Sequence, residues 1–148
     1  MMQDRHIILT RLIAAAPQAV WRCWTDPAIL PLWFGPQGFS CQTIEIDLRQ
    51  GGLWRFAMTG PDGKIWPNRH RFSLYDAPNR LEFLLDADDD ASEPMQVVVV
   101  LEPEAGGTRI TQTMTFPNAD MRNGALAFGA DRLGQTTLDK LAAQASVL

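Results

Sequence analysis

Residues 20–39 read VWRCWTDPAILPLWFGPQGF and hold three tryptophans and two phenylalanines. After Pro17, the apolar residues recur at helical spacing and predict a first short helix. Asp26-Pro27 then combines a helix-capping residue with a proline at the first helical position, which predicts a second short helix from about Pro27 to Trp33. A glycine-proline pair ends that helix. Such a density of aromatic rings is typical of a chain that encloses something apolar.

Length and charge exclude several classes of protein. The chain has 148 residues, a formal net charge of −4 and a sequence pI near 5.0. This length predicts a single domain, residues 1–148, with its own core. Its 13 Lys and Arg residues are spread along the sequence, so we expect no nucleic-acid partner. Since we find no membrane-spanning run and no signal peptide, we expect no membrane insertion and a cytoplasmic location.

Metal and cofactor chemistry has no support in the sequence. Cys23 and Cys41 match neither a metal-binding spacing nor a disulfide framework, and we interpret them as small buried apolar side chains. The run Asp88-Asp89-Asp90 lacks the other ligands of a calcium loop and is interpreted as an acidic turn. With no dinucleotide fingerprint and no ligand cluster, we expect neither a cofactor nor a metal.

The order of periodicities predicts an α+β fold. Residues 6–13 are rich in β-branched and apolar residues and predict a strand. From Gly38 to Phe116 the chain alternates between turn residues and apolar runs, which predicts about six more strands. The segment from about Asp120 to Gln144 predicts one long C-terminal helix. We therefore expect a curved antiparallel sheet of about six to seven strands around that helix, with two short helices after the first strand.

Six short motifs carry a family resemblance. They are Val20-Trp21-x-x-Trp24-Thr25-Asp26-Pro27, Trp33-Phe34-Gly35-Pro36-x-Gly38-Phe39, Asp47-x-Arg49-x-Gly51-Gly52, Gly60-Pro61-Asp62-Gly63, Pro78-x-Arg80-Leu81 and Leu138-x-x-Leu141. In this order they resemble the activator of heat-shock-protein-90 ATPase homologue family, within the START-like (SRPBCC) superfamily. The resemblance, from about Thr10 to Gln144, implies a helix-grip fold with a hydrophobic cavity between the C-terminal helix and the sheet. It implies little about chemistry, because similar folds bind lipids, cyclise polyketides, hydrolyse substrates or assist chaperones.

Two positions depart from the family's pattern. The last helix of similar sequences usually carries Gly-Trp where this chain has Leu133-Gly134, so a large ring is missing above the cavity. Leu74 stands where similar sequences often have an acidic residue. Both departures predict a roomier and more apolar cavity.

Alternation along the predicted strands turns one set of side chains inward. The candidate ligand-binding residues, from these strands and from the helical segments, are Trp33, Phe34, Trp54, Phe56, Met58, His70, Phe72, Leu74, Gln112, Met114, Met121, Ala125, Phe128 and Gly129. Inward aromatic residues serve equally well as core, and both interpretations stay open. Gln112 is the one amide in its inward series, and a buried amide needs a partner in the protein, in water or in a ligand.

His70 is the one candidate for a catalytic residue. It shares the inward parity of Phe72 and would act as a general base or as a hydrogen-bond donor to a ligand. Without an identified partner, a purely structural role is the favoured alternative. Arg69 and Arg71 are predicted to face outward, where with Arg55 they form at most a modest basic patch.

Three functions stay open. The first is binding of a small hydrophobic or amphipathic, lipid-like molecule in the cavity, because no Ser or Cys with an adjacent His is recognisable inside. The second is an enzyme of cyclase or hydrolase type that uses the same cavity, with His70 as acid or base. The third, suggested by the family's name alone, is a co-chaperone of the heat-shock ATPase. A homodimer through the sheet edge or the helix also stays open.

Overall fold

Within residues 4–148, which the computed structural model describes, the chain forms seven strands and four helices. The strands are β1 (His6–Ile13), β2 (Ser40–Asp47), β3 (Leu53–Thr59), β4 (Ile65–Asp76), β5 (Arg80–Asp86), β6 (Met95–Glu104) and β7 (Gly107–Thr115). The helices are α1 (Pro17–Thr25), α2 (Leu30–Trp33), α3 (Ala119–Phe128) and α4 (Ala130–Ala145). This order confirms the predicted α+β fold.

The strands form one antiparallel sheet in the order β1-β7-β6-β5-β4-β3-β2. All of them except β1 pair with their neighbours in sequence, whereas β1 pairs with the last strand, β7. The sheet curves around α4, whose Leu138, Leu141 and Ala145 are buried in the core that the sheet encloses. This is the helix-grip arrangement that the family resemblance implied.

The aromatic segment folds back on itself between α1 and α2. Helix α1 begins at Pro17 and buries Val20, Cys23 and Trp24 on one face. The rings of Trp24 and Trp33 pack edge to face with centroids 4.8 Å apart. Trp33 Nε1 also donates a hydrogen bond to the Cys23 carbonyl at 2.9 Å. The rings therefore lock the two helices together over the concave face of the sheet.

The second helix begins later than predicted. Asp26 accepts a hydrogen bond from the Ala28 N–H at 2.9 Å, as a capping side chain does. However, residues 27–29 form turns, and α2 extends only from Leu30 to Trp33. The capping signal thus initiates a turn that precedes the helix.

The predicted C-terminal helix is divided at Gly129. This residue has a φ of 94°, a left-handed conformation that residues with a side chain rarely adopt, and it ends α3. Asn118 caps the start of α3 by accepting a hydrogen bond from the Met121 N–H at 2.8 Å. Helix α4, with 16 residues, is the long C-terminal helix. No helix in the described part of the chain is both long and apolar enough to cross a membrane.

A β-bulge in β4 changes which side chains point inward. The alternation holds as far as Phe72, but Leu74 then lies opposite Glu82 on β5. The extra residue, Ser73, reverses the parity, so Tyr75 takes the inward place and its ring packs 5.4 Å from that of Phe72. The prediction that Leu74 points inward is therefore wrong.

Three arginines on the outer face of the sheet are paired with carboxylates. Arg69 and Arg71 both contact Asp86, with nitrogen to oxygen distances of 2.7 and 3.0 Å. Arg55 Nε lies 2.9 Å from Asp88 in the acidic segment after β5. Asp90 also contacts Arg69, at 2.9 Å, and Glu45 contacts Arg55, at 3.3 Å. The four carboxylates offset the charge of the three arginines, so the basic patch considered from the sequence does not form.

Candidate functional site

A cavity of about 380 Å³ lies between the concave face of the sheet and α4. Strands β3 to β7 and β1 supply its floor, and each strand from β4 to β7 contributes two residues that are two apart, such as Met95 and Val97 from β6. Methionines recur on this floor, at Met58, Met95 and Met114. Their unbranched side chains adapt to ligands of different shape.

Helix α4 forms the roof with a stripe of small residues. Ala130, Gly134 and Thr137 face the cavity together with Leu133, at the spacing of one helix face. Gly134 also allows a close approach to β1, because a Cβ atom at this position would overlap Leu9 Cδ1. Gly134 therefore lines the open cavity and at the same time permits the tight packing of Leu9 against α4.

Three neutral polar side chains interrupt the apolar lining. Gln112 comes from the floor, on β7, and Thr137 comes from the roof. Asn68 comes from β4, and its Nδ2 donates to the Trp66 carbonyl at 3.0 Å. Among the described residues that line the cavity, none is charged. The site therefore suits an uncharged molecule with one or two hydrogen-bonding groups.

Two aromatic rings mark the entrance. Phe128, the last residue of α3, lines the cavity and is 72% exposed, while Trp66 of β4 lines it and is 42% exposed. Rings that contact both the cavity and solvent must lie where the cavity opens. Apolar side chains at an opening favour the entry of apolar molecules.

The opposite end of the cavity is closed by a cluster of aromatic rings around His70. The His70 ring stacks on Phe83 with centroids 4.2 Å apart and packs edge to face with Phe34 at 4.9 Å. The other rings within about 6 Å of His70 are Trp54, Phe56 and Phe72. Trp54 and Phe56 stack on each other at 3.7 Å. This end of the interior is filled with side chains.

His70 is fully buried and has no hydrogen-bond partner on either ring nitrogen within residues 4–148. Burial lowers the pKa of its imidazole to about 3, and the nearby charge of Asp86 offsets this effect only in part. The ring is therefore neutral at physiological pH. A neutral imidazole offers one hydrogen-bond donor and one acceptor.

Phe34 stands at the border between the open cavity and the aromatic cluster. It follows α2, lines the cavity and is half-buried. The loop after it is fastened to α4 by Lys140, whose Nζ donates to the carbonyls of Gly35, Pro36 and Phe39 at 3.0 to 3.4 Å. Burial lowers the pKa of Lys140. The backbone at this border is thus held firmly, whereas the Phe34 side chain lies against open space.

The cysteines are not activated nucleophiles. Burial raises the pKa of the Cys23 thiol to about 11 and that of Cys41 to about 12. Cys41 Sγ donates a hydrogen bond to the Phe34 carbonyl at 3.2 Å. Cys23 is buried as predicted, and Cys41 is half-buried.

The structure brings together part of the predicted site. Of the candidates, those that line the cavity are Phe34, Met58, Gln112, Met114 and Phe128. Those in the closed aromatic end are Trp33, Trp54, Phe56, Phe72 and His70. Those outside the lining are Leu74, Met121, Ala125 and Gly129, of which Met121 is 45% exposed.

Residues of the roof were missed. Ala130 and Thr137 line the cavity, but small or weakly apolar residues do not stand out in a search for apolar periodicity. The break at Gly129 also resets the helical phase, so the face of α3 does not continue into α4. On the strands, Leu85 and Val97 have the inward parity that would have identified them.

Comparison with known proteins gives the family. The family model described as "Activator of Hsp90 ATPase homolog 1-like protein" matches residues 14–145. Among solved structures, protein Ms6760 from Mycobacterium smegmatis has a TM-score of 0.86 and 26% identity, over 98% of this chain and 95% of that chain. Protein NE0264 from Nitrosomonas europaea has a TM-score of 0.82 and 28% identity, over 95% and 94%. The AHSA1 (SPO3351) protein from Silicibacter pomeroyi, at 23% identity with a TM-score of 0.76 over 96% and 98%, shares the fold.

No curated protein matches the sequence. The family model, however, spans most of the chain, and the seven-stranded sheet with its long C-terminal helix agrees with it. The chain therefore belongs to the family of Activator of Hsp90 ATPase homolog 1-like proteins.

Proposed function

We propose that the protein binds a small, uncharged and largely apolar or amphipathic molecule, such as a lipid-like compound, in the cavity beneath α4. The observation that carries this proposal is an open apolar cavity of about 380 Å³ whose described lining has no charge. That volume lies within the range of small-molecule sites in proteins, about 300 to 1,000 Å³. A START-like fold supports a function of the ligand-binding or co-chaperone type.

The arrangement of the walls supports an amphipathic ligand. The apolar part would lie against the methionines of the floor, where burial of apolar surface contributes about 25 cal/mol per Å². Gln112 would hold the polar group, because an amide can both donate and accept a hydrogen bond. Phe128 and Trp66 would guide the ligand through the entrance.

Binding is better supported than catalysis. His70 is separated from the cavity by Phe34 and Phe83, and no residue in the described range 4–148 hydrogen-bonds to it and could relay a proton. The thiols of Cys23 and Cys41 stay protonated at neutral pH. A cyclase or hydrolase would need an acid, a base or a nucleophile in contact with its substrate.

A co-chaperone function rests on the family's description alone. We propose that the protein acts in the cytoplasm without a nucleic-acid partner, in keeping with its net charge of −4 and the paired arginines of the outer face. The proposal includes a homodimer through an edge strand of the sheet or through the helix, which size-exclusion chromatography would test.

Native mass spectrometry of the gently purified protein gives the first test. We expect a reproducible added mass that is lost on denaturation. Titration with N-phenylnaphthylamine, a neutral fluorescent probe, then tests where the ligand binds. Met114→Trp fills the cavity, whereas Thr113→Trp places the same ring on the opposite face of β7.

We expect saturable probe binding that weakens roughly tenfold or more in Met114→Trp, because the added ring occupies the ligand's volume. The Thr113→Trp variant should bind as the unmodified protein does. Equal binding by both variants, or no saturable binding at all, would contradict a ligand site in this cavity.

A further inference from the structure

The aromatic environment of His70, called here the His70 slot, would accommodate a phenylalanine ring better than an imidazole. His70 is fully buried among aromatic rings, and neither of its nitrogens has a hydrogen-bond partner in the described residues. A buried polar group without a partner lowers stability, and such groups are rare in native proteins. A phenyl ring would fill the same space without this loss. An imidazole here points to a use for its polar atoms.

The slot lies next to the cavity. On the inward face of β4, His70 follows Asn68, which lines the cavity. It lies opposite Leu85 of β5, which also lines it. Phe34 lines the cavity too, and its ring centroid is 4.9 Å from that of His70. Phe83, which stacks on His70 at 4.2 Å, lines the cavity as well. The rings of Phe34 and Phe83 therefore separate the imidazole from the ligand's volume.

Phe34 is the movable member of this wall. The other rings that contact His70 belong to strands of the sheet, whereas Phe34 lies in the connection after α2 and is only half-buried. The Trp24 ring, 6.1 Å from Phe34, carries a second buried N–H without a partner in residues 4–148. Displacement of the Phe34 ring would thus bring two unpartnered polar groups closer to the ligand.

We propose that a ligand in the cavity displaces the Phe34 ring and places an uncharged hydroxyl or carbonyl group against His70, which hydrogen-bonds it. This inference rests on the proposed function and specifies its ligand. The deep end of that molecule carries a neutral oxygen, as in an alcohol, a phenol or a ketone.

The electrostatics of the site select a neutral group. The buried imidazole is uncharged at neutral pH and presents one donor and one acceptor. A hydroxyl can bond to either nitrogen, and a carbonyl can accept from the N–H. A carboxylate would enter a lining that holds no cation among the described residues, where its loss of hydration would not be offset.

Naphthalene and naphthol form a matched pair of probes, because they differ by one hydroxyl group. Binding of naphthalene tests the cavity alone, and the preference for naphthol tests His70. We expect the unmodified protein to bind naphthol about tenfold more tightly, since the hydroxyl gives a partner to a polar group that lacks one. If neither compound binds, the proposed function fails for ligands of this size and the inference fails with it.

Variants then test whether His70 causes the preference for naphthol over naphthalene. His70→Phe should reduce the ratio of the two affinities to about one, whereas His6→Phe, at the exposed start of β1, should keep it. Phe34→Ala should raise the ratio, because no ring has to be displaced. A ratio that survives in His70→Phe while naphthalene still binds would overturn the inference and leave the proposed function intact.

A measurement on the unmodified protein covers the case in which His70→Phe does not fold. The imidazole nitrogen chemical shifts of His70, followed by NMR, should change on addition of naphthol in the way that a new hydrogen bond causes. Naphthalene should leave them nearly unchanged. Identical shifts with both compounds would contradict the hydrogen bond.

Discussion

The two ends of the interior are built on the same face of the same sheet, yet one is packed and the other is open. At the packed end, Trp54, Phe56 and Phe83 are each at most 1% exposed and stack against His70 or one another. At the open end, Met95 and Met114 face a cavity. Rigid rings fix the position of α1 and α2, while flexible side chains leave room for a ligand.

The difference lies in which elements cover the sheet. Over the packed end, helices α1 and α2 contribute tryptophans that fill the space down to the strands. Over the open end, α4 contributes Ala130, Gly134 and Thr137. Gly134 lies close to Leu9 of the edge strand β1, but elsewhere these small side chains leave space above the strands. The cavity is therefore a consequence of small residues in the roof more than of any feature of the sheet.

Truncation should distinguish the two ends most strongly. Trp33→Ala at the packed end should lower the free energy of unfolding by about 3 to 5 kcal/mol, because it leaves a void and removes the hydrogen bond to the Cys23 carbonyl. Met95→Ala at the open end should cost less than about 2 kcal/mol, since it enlarges a cavity that already exists. Urea denaturation at constant m-value measures both. Equal losses would mean that the open end is as tightly packed as the other.

A pH series should give the next largest effect. The pKa of His70 is about 3 in the folded protein and near 6.5 in the unfolded chain, so below pH 6.5 only the unfolded chain takes up this proton. The free energy of unfolding should then fall by about 1.4 kcal/mol per pH unit as the pH decreases from 6 towards 4. Burial opposes ionisation of Asp86, but hydrogen bonds from Arg69 keep its pKa below 3.8, so its own loss of stability begins only below about pH 4.

His70→Phe should remove this slope, and His6→Phe should retain it as a control for the other histidine. The measurement is chemical denaturation at half-unit steps of pH. An unchanged slope in His70→Phe would show that His70 is hydrated or hydrogen-bonded in solution, and the packed end would then be less closed than described.

The smallest effect should come from enlarging Gly134 on α4 and then shortening Leu9, which faces it on β1. Gly134→Leu should weaken N-phenylnaphthylamine binding roughly tenfold, because the new side chain must occupy the space of Leu9 or of the cavity. Adding Leu9→Ala should restore much of the affinity by returning that volume. Fluorescence titration of the single and double variants decides this. If Gly134→Leu binds normally, the probe does not lie beneath α4.

The sequence predicts the packed end better than the open one. Aromatic density, the capping residues and strand alternation suffice for the α+β order and for the inward placement of residues such as Trp54 and Gln112. The bulge that turns Leu74 outward leaves no such signal, because it depends on pairing between strands. The division at Gly129 had a signal, since glycine favours a helix end, but the surrounding periodicity outweighed it.

The cavity itself could not be predicted from residue types. Phe34, Trp33 and Phe56 are equally apolar and adjacent in space, yet only Phe34 lines open volume. Which ring becomes wall and which becomes core depends on how the helices pack over the sheet, and residue types alone do not specify that packing. The useful signal was the glycine at position 134, where the family resemblance leads one to expect a large ring, since that expectation concerned the volume directly.

The Lys140 ammonium, held by three carbonyl oxygens of the loop after α2, has a consequence for binding kinetics. These three hydrogen bonds hold the loop backbone in place, because movement of the loop would leave the Lys140 ammonium unpaired. Access of a ligand to the packed end therefore requires only rotation of the Phe34 side chain. Side-chain rotations take place far faster than loop opening. Association should accordingly be limited by diffusion to the entrance, and residence time by the fit inside.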